Sequence, residues 1–254
     1  DILREEFSIQ ELMNYVSILS YLHRIQGSED LEHALTFIEK ELSHTKCLIV
    51  RTYEFDYHKG YGIHYPIAGW NVRYGEIRLV EPVSKLLHSY SNSRTVVLAH
   101  SPPGEVVEPI VYVGEGTREE HYHNKNVDNK IVLAYGTPYI VYRVGIEHGA
   151  KGFVFFRRSG PENAVPYLGL FLTPDEAKRF TAPAVAISRR NALEIIHRID
   201  KGEMVKAKIL VDSEFRERAT IKVGEATLKG NSDKELHIYA HICHPGGTVN
   251  DNIS

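Results

Sequence analysis

Cysteine is scarce in this sequence: Cys47 and Cys243 are the only two among 254 residues. Two thiols cannot build a disulfide framework, so a reduced interior, favouring the cytoplasm, is the expectation. Long apolar runs are missing as well. No stretch reaches the roughly 18 residues that a membrane-spanning helix needs, so no membrane span is expected. The opening Asp1-Ile-Leu-Arg-Glu-Glu lacks a basic start followed by an apolar run, which gives no sign of a signal peptide. Nor is there an excess of one charge. Thirty Lys and Arg stand against 33 Asp and Glu, leaving a net charge of -3. That balance offers no electrostatic reason to expect nucleic acid or an anionic membrane as a partner. Internal repeats and low-complexity tracts are absent too. With 43% hydrophobic and 25% charged residues, what remains is the composition of a globular protein, long enough for one large domain or two ordinary ones.

The first part of the chain reads as helix, helix, strand. Ser8-Ile-Gln-Glu11 has the form of a capping box, and Ile9, Leu12, Val16, Leu19 and Leu22 follow at helical spacing. Gly27 is a stop. Ser28 caps a second helix with Glu29 and Asp30 in its first turn and a stripe of Leu31, Leu35, Ile38 and Leu42. Residues 47–55, rich in β-branched and aromatic types, predict a strand. Residues 57–74 are crowded with Gly, Tyr and His and read as an irregular crossing, with ordinary core packing expected for Trp70.

A run of short strands comes next, predicted at 95–99, 108–113, 129–135, 152–156 and 183–188. Helices are expected at 139–148, stopped by Gly149, and at 190–201. Residues 206–212 and 217–228 alternate as strands, and 235–242 is a further predicted strand ending beside His241.

The last fourteen residues carry the chemistry. His241-Ile-Cys-His-Pro-Gly-Gly-Thr-Val-Asn-Asp-Asn-Ile-Ser254 brings a histidine to a strand end and, after a glycine-rich turn, returns with Asp251. Sheet ends and the loops after them are where open α/β folds place their chemistry. An imidazole and a carboxylate meeting there suit zinc, which takes both donor types. The plainer alternative is a histidine capping a strand and an aspartate in a solvent loop. Cys243 beside His244 suggests a thiol nucleophile, but neighbours on an extended strand face opposite sides. His121 and His123 have metal-compatible side chains at an i, i+2 spacing, in a loop whose Asn and Lys content reads as solvated surface. Arg157 and Arg158 read as a strand end reaching water. Asn252-Ile-Ser254 matches a glycosylation sequon lying inside the same terminal loop.

The terminal segment resembles the "His-x-Asp … Asp-Asn-x-Ser-Gly" signature of the M28 family of zinc aminopeptidases, especially its "His-x-Cys-His-Pro … Asn-Asp-Asn" variants. Arg24-Ile-Gln-Gly-Ser28 resembles the turn that opens M28 catalytic domains, and 219–223 with 228–230 and 238–241 follows the M28 order of hairpin and metal strand. Between them, Ile110-Val-Tyr-Val-Gly114, Val127-Asp-Asn-Lys130-Ile-Val-Leu133, Gly145-Ile-Glu-His-Gly149-Ala-Lys-Gly152 and Ala182-Pro183-Ala-Val-Ala-Ile187-Ser188 resemble a protease-associated domain.

The resemblance implies an α/β fold in which a zinc-peptidase sheet domain is interrupted by a β-rich insert. Residues 1–75 and 204–254 would be the peptidase-like parts and 80–203 the insert. It implies two zinc ions, with His241 a terminal ligand and Asp251 the bridging carboxylate. Cys243 stands where the common pattern has an aspartate, and would contact the ligand histidine. The implied activity is hydrolysis of N-terminal peptide bonds, with a peptide or protein as substrate. The family's general-base glutamate and its other ligands would lie beyond residue 254, so the chain is expected to be part of a longer protein and inactive by itself. A non-catalytic peptidase-like binding protein, recruiting peptide or protein through the insert, is the rival reading. A hydrolase of non-peptide amides is a third.

Overall fold

The computed structural model describes residues 8–56, 58–60, 62 and 65–247. The fold is mixed α/β, with helices and both parallel and antiparallel strand pairs. It divides into two compact units, one formed by Asp1–Tyr57 with Arg218–Ser254 and the other by His58–Glu217. In sequence, the second is inserted into the first.

The flanking unit begins with α1 (Ile9–Tyr21), whose first turn is capped by the Ser8 hydroxyl accepting from the Glu11 N–H at 3.2 Å. The second helix, α2 (Glu29–Ser43), starts in the same way, with the Ser28 hydroxyl accepting from the Leu31 N–H. Glu29, Asp30 and Glu32 lie in its first turn, where negative charge meets the positive end of the helix dipole. Strand β1 (Leu48–Asp56) then pairs antiparallel with β9 (Thr220–Leu228) in a two-stranded sheet, Leu48 opposite Leu228 and Asp56 opposite Thr220.

The inserted unit holds a seven-stranded mixed sheet. Its strands are β2 (Gly69–Glu81), β3 (Lys85–Ser89), β4 (Gly104–Gly114), β5 (Ile131–Ala134), β6 (Gly152–Phe155), β7 (Ala184–Ala186) and β8 (Lys206–Arg216), in the spatial order 3-2-8-4-5-6-7. Strands β4 to β7 run parallel, and β5, β6 and β7 are buried at every residue. Burial on both faces is what a parallel sheet requires, and it explains their unbroken apolar runs. Val132, Ala134, Phe153, Phe155, Ala184 and Ala186 join one core cluster with Val141 and Tyr142 of α3 (Pro138–Glu147). The alternate residues Ile131, Leu133, Val154 and Val185 are buried outside that cluster, as the two-residue period of a strand dictates. Two further helices, α4 (Pro174–Arg179) and α5 (Arg189–Asp200), complete the unit. Gly149, just past α3, has φ of +83°, the left-handed stop expected of a glycine there.

Several sequence expectations need correction. Residues 95–99 form no strand. A 3-10 turn spans Arg94–Val96, and only isolated bridges tie Val97 to Val185 and Ala99 to Gly169. The supposed irregular crossing contains the start of β2, a 13-residue strand, and β3 was not anticipated at all. Strand β8 pairs with β2 and β4, so residues 206–216 join the inserted unit rather than the flanking one. Residues 235–242 form no strand. Leu236, Ile238 and Tyr239 are 88%, 86% and 87% exposed, and alternation without a partner strand or a core to face does not make a sheet. Among the described residues no helix is long and apolar enough to cross a membrane.

Candidate functional site

The C-terminal segment is built onto the turn between α1 and α2. The path from α1 into α2 is tightly bonded. The Ile25 N–H donates to the His23 carbonyl at 2.8 Å, and the Ser28 N–H donates to the Ile25 carbonyl at 3.0 Å. The Asp30 carboxylate accepts from the His23 N–H at 2.7 Å. Onto this turn come residues 242–247. Arg24 and His244 form an isolated antiparallel bridge, the Gly247 N–H donates to the Ser20 carbonyl at 2.8 Å, and the Gly246 N–H donates to His23 Nδ1 at 3.1 Å. Gly246 fits closely there: a Cβ would lie 3.2 Å from the Leu22 carbonyl oxygen and 3.3 Å from that of Ser20, so a larger residue would need the neighbours to give by a few tenths of an ångström.

Arg24 is the buried centre of the contact, 1% exposed. Its Nε donates to the Ile242 carbonyl at 2.8 Å, and its Nη1 donates to the Leu19 and Leu22 carbonyls. Nη2 is buried and has no hydrogen-bond partner among the described residues. Burial lowers the guanidinium pKa, while Cys243 and Asp30 nearby pull it back up.

His241 is exposed and Cys243 half-buried, and the thiol Sγ lies 3.6 Å from His241 Nδ1. Asp251 and the Asn252 sequon lie outside the described residues. Cys47 is exposed, and neither cysteine is in a disulfide. The donor types at His241 and Cys243 suit zinc, but the number falls short. A catalytic zinc site needs about three protein ligands, and no group of three His, Cys, Asp or Glu side chains is gathered among the described residues.

The other residues singled out from sequence have structural uses. His121 sits in a 3-10 turn, Glu119–Tyr122, where its Nδ1 accepts from the Thr117 and Arg118 N–H groups, while His123 is exposed. Trp70 is fully buried and donates its indole N–H to the Ser101 carbonyl at 2.9 Å. Arg157 reaches the Tyr167 carbonyl, and Arg158 stacks over Tyr135, with its guanidinium 4.9 Å from the ring centre. Sequence reasoning did not anticipate the parts played by His23, Arg24 and Asp30. The one available signal was that Arg24 falls in the Arg-x-x-Gly-Ser turn, which says nothing of the carbonyl groups it reaches 218 residues later.

No family model matches the sequence, and no curated protein matches it significantly. Solved structures do match in fold. An aminopeptidase from Aneurinibacillus sp. strain AM-1 aligns with a TM-score of 0.53 at 19% identity, over 91% of this chain and 50% of that one. A peptidase M28 precursor from Shewanella amazonensis SB2B aligns at 0.55 and 14% identity, over 85% of this chain and 51% of that one. A zinc aminopeptidase from Bacillus subtilis aligns at 0.51 and 14% identity, over 84% and 46%. The chain therefore has the mixed α/β fold of these peptidases and spans about half of their length.

Proposed function

We propose that this chain forms part of a metal-dependent aminopeptidase of the M28 kind, acting on a peptide or protein substrate. One observation carries the reading. Two of the places where the sequence resembles M28 catalytic domains, Arg24 to Ser28 and His241 to Pro245, lie far apart in the chain and meet in the same unit. The fold likeness to peptidases supports it. In this reading His241 and Asp251 are two of the ligands of a pair of zinc ions, and the inserted unit is a protease-associated domain. The general base and the remaining ligands belong to residues outside these 254. Zinc, when bound, supplies Lewis acidity that polarises a scissile carbonyl and acidifies water.

What this chain's own residues contribute is position. Cys243 Sγ lies 3.6 Å from His241 Nδ1, a contact that orients the imidazole in this reading. The test is zinc content and hydrolysis of a leucyl anilide by the complete gene product. His241→Ala and Asp251→Asn should each abolish turnover, with the greater zinc loss in Asp251→Asn, where two cations lose the charge between them. Cys243→Ser should keep much of the activity, since a hydroxyl still reaches the imidazole. Loss of activity in Cys243→Ser with zinc fully retained would instead favour a thiol nucleophile. A wild-type protein with neither zinc nor turnover would favour the binding-protein reading.

A further inference from the structure

Residues 229–243 contain no regular structure, yet His241 and Cys243 lie side by side within that segment. The fixed point nearest to them is the Ile242 carbonyl, and what fixes it is Arg24. We propose that Arg24 is a positioning residue: its bond to the Ile242 carbonyl anchors Ile242, the residue between His241 and Cys243. As a role in catalysis, this rests on the reading of His241 as a metal ligand.

A guanidinium removed from water is held only where its N–H groups find acceptors, and here three main-chain carbonyls, from Leu19, Leu22 and Ile242, provide them. The first two belong to the end of α1 and the turn after it, the third to the candidate ligand segment. Arg24 thus joins the rigid end of a helix to an otherwise irregular stretch of chain. Its planar fork matters for this task. Lysine carries the same charge, but its single ammonium cannot span three carbonyls in fixed directions. Main-chain contacts act in parallel through the Arg24–His244 bridge and the Gly246 and Gly247 N–H groups, so the segment from 242 to 247 is docked, whereas residues 229–240 are exposed.

The experiment uses the full 254-residue chain and nuclear magnetic resonance. In the wild type, a scalar coupling across the hydrogen bond between Arg24 Nε and the Ile242 carbonyl carbon is expected. In Arg24→Lys, amide exchange at Gly246 and Gly247 should quicken by about tenfold or more, as local docking is lost. The His241 ring resonances should move toward those of an unstructured histidine. His237, in the same irregular stretch but paired with Glu235 at 3.0 Å, should not move and serves as the internal control. If Arg24→Lys fails to fold, the wild-type coupling decides by itself. Absence of that coupling, or unchanged Gly246, Gly247 and His241 signals in a folded Arg24→Lys, would overturn the proposal. Zinc binding separates this from the peptidase reading. A protein that shows the coupling but in which His241 never binds zinc would keep the anchor and lose the peptidase. Zinc on His241 without the coupling would do the reverse.

Discussion

In the inserted unit, Phe153, Val154 and Leu133 are sealed from solvent, and three consecutive strands of the sheet have no exposed residue. In the flanking unit, α1 buries none of its residues, and Ile9 at its start is 70% exposed. Both regions have apolar residues at the right period, so period alone does not separate them. What differs is the number of layers available to cover an apolar face. The inserted unit packs α3 against one face of the parallel strands β5 to β7 within a seven-stranded sheet, whereas the flanking unit, as described, has two helices and a two-stranded ribbon. A two-stranded ribbon is marginal by itself and needs a packed neighbour for stability.

The largest expected effect tests that contrast directly. Phe153→Ala should destabilise the inserted unit by about 3–5 kcal/mol, whereas Ile9→Ala should change stability by less than about 0.5 kcal/mol. Urea unfolding followed by circular dichroism measures both. Comparable losses at the two positions would erase the distinction drawn between the units.

A smaller effect is expected at Glu176, a buried carboxylate of the inserted unit. Burial pushes its pKa up. Hydrogen bonds from the Tyr139 hydroxyl at 2.5 Å and from the Thr173 N–H and hydroxyl outweigh this and hold it below the usual value of 4.5. A depressed carboxylate stabilises the fold above its unfolded pKa, and that contribution is lost as pH falls through its folded pKa. Tyr139→Phe should therefore cost about 1.5–3 kcal/mol at neutral pH and progressively less below pH 4.5. A cost that stays constant from pH 7 to pH 3 would mean that the tyrosine acts through packing alone.

The smallest effect belongs to the irregular stretch before the candidate site. Ile238→Ser should leave the unfolding midpoint within about 0.5 kcal/mol of wild type, since this residue has almost no contact area to lose. A loss of about 2 kcal/mol would restore the strand that the alternation of residues 235–242 suggested.

That last case shows where sequence reading stopped. Helix starts at Ser8 and Ser28 were legible because capping is local, a hydroxyl accepting from an N–H three residues on. The parallel strands β5, β6 and β7 were legible because full burial leaves an unbroken apolar run. Strand β2 was not, since its glycines and charged residues such as Arg73, Glu76 and Arg78 hide the alternation. The partner of β8 was not legible either, because an alternating strand does not announce its neighbour. At the candidate site, His241 and Cys243 stood out by residue type. Arg24 gave little warning, because its acceptors are main-chain carbonyls, which leave no mark in the sequence.

The central claim, that His241 serves as a metal ligand in a peptidase, is tested most directly by zinc-edge X-ray absorption on the complete gene product. The account predicts nitrogen and oxygen ligands at about 2.0–2.2 Å with an imidazole signature. One imidazole should disappear from the spectrum in His241→Ala. A protein that binds no zinc, or one whose spectrum is the same with and without His241, would contradict it.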